Sequence, residues 1–243
     1  IIEGTNYGTP QRFYTEEQLK TRLAELLKVF RSELITVVIN ERDLWRVLTI
    51  EETIHDLGKS DAISRHIIYG HSIACLCRKV YESFAKDYDP VLNPMDLNRL
   101  RRMLLIHETR ELSDEILRKA VQKPSEFLFV TTTNEGFKIL DQVARRCVGG
   151  CCILSLSDIF SEETGISIRE YAREIADLGF TVEEVHSSGH IFPNRLVDIL
   201  EEIKPKEIFV MHSLAPEGLC KFIRGRTGLN VFAPSQGKKY QVL

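Results

Sequence analysis

The residues of this chain best suited to do chemistry are two histidines in its C-terminal quarter and one acid at its start. Val185-His186-Ser187-Ser188-Gly189-His190 follows one strand-like run, and Phe209-Val210-Met211-His212-Ser213 closes the next. Ile1-Ile2-Glu3-Gly4-Thr5-Asn6-Tyr7-Gly8 ends a third run in a carboxylate before a glycine-containing turn. An imidazole can exchange protons near neutral pH or ligate a metal. A carboxylate beside it fixes its orientation and polarises it.

Such residues act together only if strands bring them together. Thr181 to Val185 is short and β-branched, and reads as a strand. Pro193 to Ile203 carries Leu196, Val197, Leu200 and Ile203 at helical spacing, with Pro193 suited to the first helical position. Lys206 to Met211 reads as a second strand. This compact unit predicts a right-handed crossover between parallel neighbours. His190 and His212 would then share the carboxyl edge of one sheet near Glu3, where open α/β sheets place ligands.

The rest of the chain alternates strands and helices. Thr15 to Phe30 is predicted helical, with Leu19, Leu23, Leu26, Leu27 and Phe30 on one face and Thr15 and Gln18 as a capping pair. Leu34 to Ile39 reads as a buried parallel strand. Asp43 to Leu57 reads as a helix ending at Gly58, His66 to Tyr69 as a strand, and Ser72 to Ala85 as a helix. Asp96 to Leu105 and Ser113 to Val121 read as helices. Phe127 to Thr132 and Cys152 to Leu156 read as strands around a helix from Glu135 to Arg146. Ile168 to Leu178 and Glu217 to Arg224 complete the helices; Asn230 to Phe232 and Lys239 to Val242 read as short strands. The pattern predicts an α/β fold with a mainly parallel, Rossmann-like sheet.

Composition bounds the function. The chain has 243 residues, 43% hydrophobic and 28% charged, with net charge −3. That supports one large or two small domains and no global basic field. No run of about 18 apolar residues occurs, so no membrane helix is expected. Cys75, Cys77, Cys147, Cys151, Cys152 and Cys220 lack paired C-x₂-C zinc spacing and read as reduced, buried thiols of a cytoplasmic protein. Arg99, Arg101, Arg102, Arg145, Arg146, Lys238 and Lys239 read as solvated surface. The start at Ile1, inside a strand, is taken to mark a piece of a longer protein.

The order and strand-end placement of the three motifs resemble the β-CASP branch of the metallo-β-lactamase superfamily, which includes the ribonuclease J-like and messenger-RNA 3′-end processing nucleases. The resemblance spans the chain. It implies residues 1–9 as the lactamase-fold strand with the acidic motif, 10–185 as the β-CASP domain, and 186–243 as the segment returning to the αββα lactamase fold. It implies zinc-dependent phosphodiester hydrolysis of nucleic acid, with single-stranded RNA as the partner. By resemblance His212 is a ligand to one of two zinc ions. His190 contacts the scissile phosphate or protonates the leaving oxygen. Glu3 holds His190, while Ser188 and Gly189 orient the phosphate.

The superfamily's H-x-H-x-D-H signature is absent here, as are its later histidine and bridging aspartate. Ile191 follows His190 where a small residue is usual, Ser213 replaces a frequent glycine, and Glu217 falls later than the usual acid. The chain alone is therefore expected to be inactive, with pairing of two copies as one outcome for its exposed strands. Two alternatives stand beside this reading. One is a non-catalytic scaffold or RNA-binding module. The other is a serine α/β-hydrolase, since Ile67-Ile68-Tyr69-Gly70-His71-Ser72-Ile73-Ala74 resembles a nucleophile elbow, with Asp158 or Asp198 and His212 serving Ser72. The plainer reading of Ser72 is a helix N-cap.

Overall fold

A computed structural model describes residues 1–5, 7, 14–61, 63–86, 111–146, 149–156, 168–187 and 190–240. In chain order its elements are β1 (Ile2–Glu3), α1 (Glu16–Val29), β2 (Ile35–Ile39), α2 (Leu44–Ser60), β3 (His66–Tyr69), α3 (His71–Lys86), α4 (Asp114–Gln122), β4 (Phe127–Thr131), α5 (Thr133–Ala144), β5 (Cys151–Ser155), α6 (Ile168–Asp177), β6 (Thr181–Glu184), α7 (Pro193–Ile203), β7 (Ile208–Met211), α8 (Pro216–Thr227) and β8 (Val231–Phe232). The predicted 96–105 helix lies outside the described residues. Contacts divide the chain into two units, Tyr14–Ser187 and Ile1–Phe13 with Ser188–Leu243.

The larger unit is a five-stranded parallel sheet in the order β3-β4-β2-β5-β6. Every residue of β2, β4 and β5 is buried. That is the result of covering a parallel sheet on both faces, and it explains their near-continuous apolar sequences. One face packs Leu19, Leu23 and Leu26 of α1, Val47, Ile50 and Ile54 of α2, and Ile73 and Cys77 of α3 against the sheet. The other receives Leu117 of α4, Leu140 and Val143 of α5, and Tyr171 and Ile175 of α6. The architecture is thus a Rossmann-like α/β fold, as the alternation of elements indicated.

Local signals set the helix ends. Thr15 and Gln18 form a reciprocal capping box at the start of α1, with Gln18 N–H to Thr15 Oγ1 at 3.2 Å and Thr15 N–H to Gln18 Oε1 at 3.0 Å. Asp43 caps α2 through the Arg46 N–H at 3.0 Å. Helix α2 runs past Gly58 to Ser60, because buried Leu57 and the Lys28–Asp61 ion pair (2.9 Å) hold its last turn. Helix α3 starts one residue ahead of Ser72: the Ala74 N–H donates to Gly70 O (3.0 Å), so Gly70 takes the cap position expected of Ser72. Lys239 and Tyr240 are not in a strand, and the remainder of that predicted element lies outside the described residues.

The smaller unit is a three-stranded parallel sheet in the order β1-β7-β8. Leu196, Val197 and Leu200 of α7 and Leu219, Cys220 and Ile223 of α8 bury against Ile208, Val210 and Val231. This overturns one expectation. β6 and β7 are not neighbours in one sheet. β6 pairs with β5, and β7 has β1 on one side and β8 on the other. The 181–211 segment reads as a compact crossover because hydrophobic periodicity records how much of a strand is buried, not which strand it pairs with. No helix among the described residues is long and apolar enough to cross a membrane.

Candidate functional site

Glu3 and His190 come together in the smaller unit through the pairing of β1 with β7. The register sets Ile2 opposite Val210 and Glu3 opposite Met211. Beyond it the Gly4 N–H donates to Met211 O (3.0 Å), and the Thr5 hydroxyl reaches His212 O (3.2 Å). Gly4 is required at this turn. A Cβ there would collide with Leu219 Cδ2 and lie 2.9 Å from Ser213 Cβ. The acidic motif therefore depends on a glycine that lets β1 close against the loop after β7.

The Glu3 carboxylate gathers three groups. Its Oε2 lies 3.3 Å from His190 Nδ1 and accepts the Thr5 N–H at 3.0 Å; its Oε1 accepts the Ile191 N–H at 3.2 Å. Partial burial favours the protonated acid. The hydroxyl and backbone N–H of Thr5, the His190 charge and the Ile191 N–H outweigh it, so the carboxyl titrates below its ordinary value. The single Thr5 hydroxyl proton serves either this carboxylate or the His212 carbonyl at any moment. With the His190 ring and the following Ile191 N–H both on Glu3, the imidazole is oriented by that carboxylate. Nδ1 is the ring nitrogen that faces that carboxylate.

His212 follows β7 directly. It is exposed, and its backbone is left-handed (φ 49°), which few residues other than glycine adopt. Its main chain is held by Thr5, and the next turn is held by Ser213, whose Oγ accepts the Ala215 N–H (3.2 Å) ahead of α8. Ser188 and Gly189, the predicted phosphate contacts, lie outside the described residues. A catalytic zinc ion needs about three protein ligands. Among the described residues no three His, Cys, Asp or Glu side chains gather to hold a metal. His212 alone does not make a zinc centre.

The residues of the serine-hydrolase alternative have other partners. The Ser72 hydroxyl and N–H both donate to Glu135 Oε1 at 2.9 Å, which holds the first turn of α3. Asp198 pairs with Arg195 at 3.1 Å, and Asp158 lies outside the described residues.

Two groupings were not legible in the sequence. At the carboxyl end of the five-stranded sheet, Arg46 is 2% exposed and reaches Glu16 (3.3 Å) and Ser187 O (3.3 Å). Next to it, burial and then the Arg46 charge push His186 down to about 4, against opposing contributions from Asp43, the Ser155 backbone and Glu16. At the same end of the sheet, beside edge strand β3, His71, Cys75 and Glu111 meet on α3 and the segment next to β3. A histidine and a cysteine four residues apart on a helix was the one available signal for the latter.

No family model matches the chain, and no curated protein matches it. A solved structure does: a protein of unknown function from Enterococcus faecalis V583 superposes with a TM-score of 0.62 at 19% identity. The match covers 98% of this chain and 50% of that one, so the chain spans half the length of its structural neighbour. At this identity the likeness is one of fold.

Proposed function

We propose that this chain contributes to a phosphodiester hydrolase acting on nucleic acid, with single-stranded RNA as its substrate class, and that His190 oriented by Glu3 is its proton donor. The observation that carries the reading is the 3.3 Å contact between Glu3 Oε2 and His190 Nδ1, with the flanking Thr5 and Ile191 N–H groups on the same carboxylate. The β-CASP resemblance supplies the substrate class and assigns His212 to zinc.

In this reading Glu3 stabilises the imidazolium and keeps Nε2–H directed at the substrate. That proton hydrogen-bonds a phosphate oxygen or passes to the departing ribose oxygen as the oxygen of a water molecule bonds phosphorus, gives up a proton to solvent, and the P–O bond breaks. A positioned acid of this kind typically contributes about 10²–10⁴-fold. The test uses the full-length protein that contains these residues and a short 5′-labelled single-stranded RNA. His190→Ala is expected to slow cleavage by about 100-fold or more. Glu3→Gln, which keeps the shape and loses the charge, should slow it by about tenfold and move the acid limb of the pH profile. Wild-type cleavage by His190→Ala would remove the proton-donor role. RNA binding without cleavage by the unmutated protein would instead establish the scaffold alternative.

A further inference from the structure

Thiol, imidazole and carboxylate meet at the margin of the five-stranded sheet, well away in sequence from Glu3 and His190. Cys75 Sγ lies against the His71 imidazole, 3.4 Å from Nε2 and 3.8 Å from Nδ1, and His71 Nδ1 lies 2.6 Å from Glu111 Oε1. The fold fixes all three. Gly70 ends β3 and His71 opens α3, so His71 and Cys75 fall one turn apart on the first two turns of that helix. Glu111 is held from the other side: it bridges Tyr69 in parallel register, and the Leu112 N–H donates to Tyr69 O at 2.9 Å. The carboxylate is thus anchored at the outer edge of strand β3, which ends the sheet among the described residues.

We propose that Cys75, His71 and Glu111 form a reactive-thiol site at which Cys75 exchanges with a low-molecular-weight disulfide to form a mixed disulfide. The chemistry follows from who can hold which charge. His71 takes the Cys75 proton on Nε2, and Glu111 stabilises the resulting imidazolium through Nδ1–H. The thiolate attacks one sulfur of the disulfide. A protein–S–S–R bond forms, the original S–S bond breaks, and the departing thiolate takes the proton back from His71. The disulfide is the sole oxidant, so electrons balance without a further cofactor.

The surroundings favour this assignment. The hydrogen bond and charge of Glu111, aided by the charge of Glu135, hold the His71 imidazole above its ordinary proton affinity. Arg78, one turn along α3 and paired with Glu82 at 2.8 Å, is a second cation close enough to feel the charge of Cys75. His71 is exposed, with 71% of its side chain accessible, and Cys75 is half-buried, so a small disulfide can reach the sulfur. The other described cysteines are buried. Burial pushes Cys77 up to about 11 and Cys151 up to about 12, leaving them as unreactive thiols.

The test is modification of the full chain by 2,2′-dithiodipyridine at pH 6.5, with release of the thione read by absorbance and the modified residue mapped by peptide mass spectrometry. Cys75 is expected to be the first cysteine modified. His71→Ala should slow its modification about tenfold, and Glu111→Gln a few-fold, with unchanged circular dichroism. Between pH 5 and 8 the wild-type rate should rise less steeply than that of His71→Ala, a signature that lost packing alone would not produce. Glutathione disulfide should give the same adduct at Cys75, absent in Cys75→Ser. Modification of Cys75 in His71→Ala at the wild-type rate, or faster modification of another cysteine, would overturn the proposal. Neither result bears on His190.

Discussion

The charges that matter in this protein are held by single residues with several partners, and each gives a pH signature. Glu3 has a folded-state proton affinity below its ordinary value, so it contributes stability that is complete above the unfolded carboxyl range, about 4.3. That contribution is lost as pH falls through the lowered folded value. Glu3→Gln should therefore flatten the acid limb of the smaller unit's unfolding curve, measured by urea titration between pH 3 and 6. His186 works in the same direction at a higher window. Its folded value of about 4 lies below the unfolded value of about 6.5, so protons bind the unfolded chain first. Stability should fall as pH drops from about 6.5 to about 4. His186→Gln should reduce that slope in thermal melts followed by circular dichroism.

At the scale of elements, one side chain joins several chain segments. Arg65 is 5% exposed and donates at 2.8 Å to the carbonyls of Phe30, Glu33 and Phe127. It thereby ties the end of α1, the turn before β2 and the start of β4, and burial lowers its proton affinity to about 10. Arg65→Met would leave those carbonyls without their donor. An unsatisfied buried group costs about 1–3 kcal/mol, so a loss of about 3 kcal/mol or more is expected in urea unfolding of the larger unit. The α1 cap is a smaller effect: Thr15→Ala should cost about 1 kcal/mol. In the smaller unit, Gly4→Ala must push Leu219 or Ser213 aside and should cost about 1–3 kcal/mol, as overpacking does.

For the molecule as a whole, the two units differ in how much core they own. Among the described residues the five-stranded sheet is buried on both faces by six helices, whereas the three-stranded sheet packs chiefly against α7 and α8. Stability follows buried apolar area, so the smaller unit should unfold first. Near-UV circular dichroism and amide exchange in urea should resolve two transitions. Gly4→Ala is expected to move the earlier one alone and Arg65→Met the later one alone. A single transition displaced equally by both substitutions would show that the units unfold together.

Much of this arrangement was decided by the sequence itself. Strands β2, β4 and β5 are readable because complete burial demands unbroken apolar, β-branched runs. Helix α1 is readable because Thr15 and Gln18 begin it and its leucines recur on one face. These signals are local, and the physics behind them acts over a few residues. The acid and histidine of the candidate site were legible as types at strand ends, and the α/β class as an alternation. Pairing was not legible. That β7 lies between β1 and β8 and not beside β6 depends on contacts between residues far apart in the chain, which leave no periodic mark. The meeting of His71 with Glu111, and of Arg46 with Ser187, is hidden for the same reason. The pairs are separated by 40 and 141 residues, and only the folded sheet brings their groups within hydrogen-bonding reach.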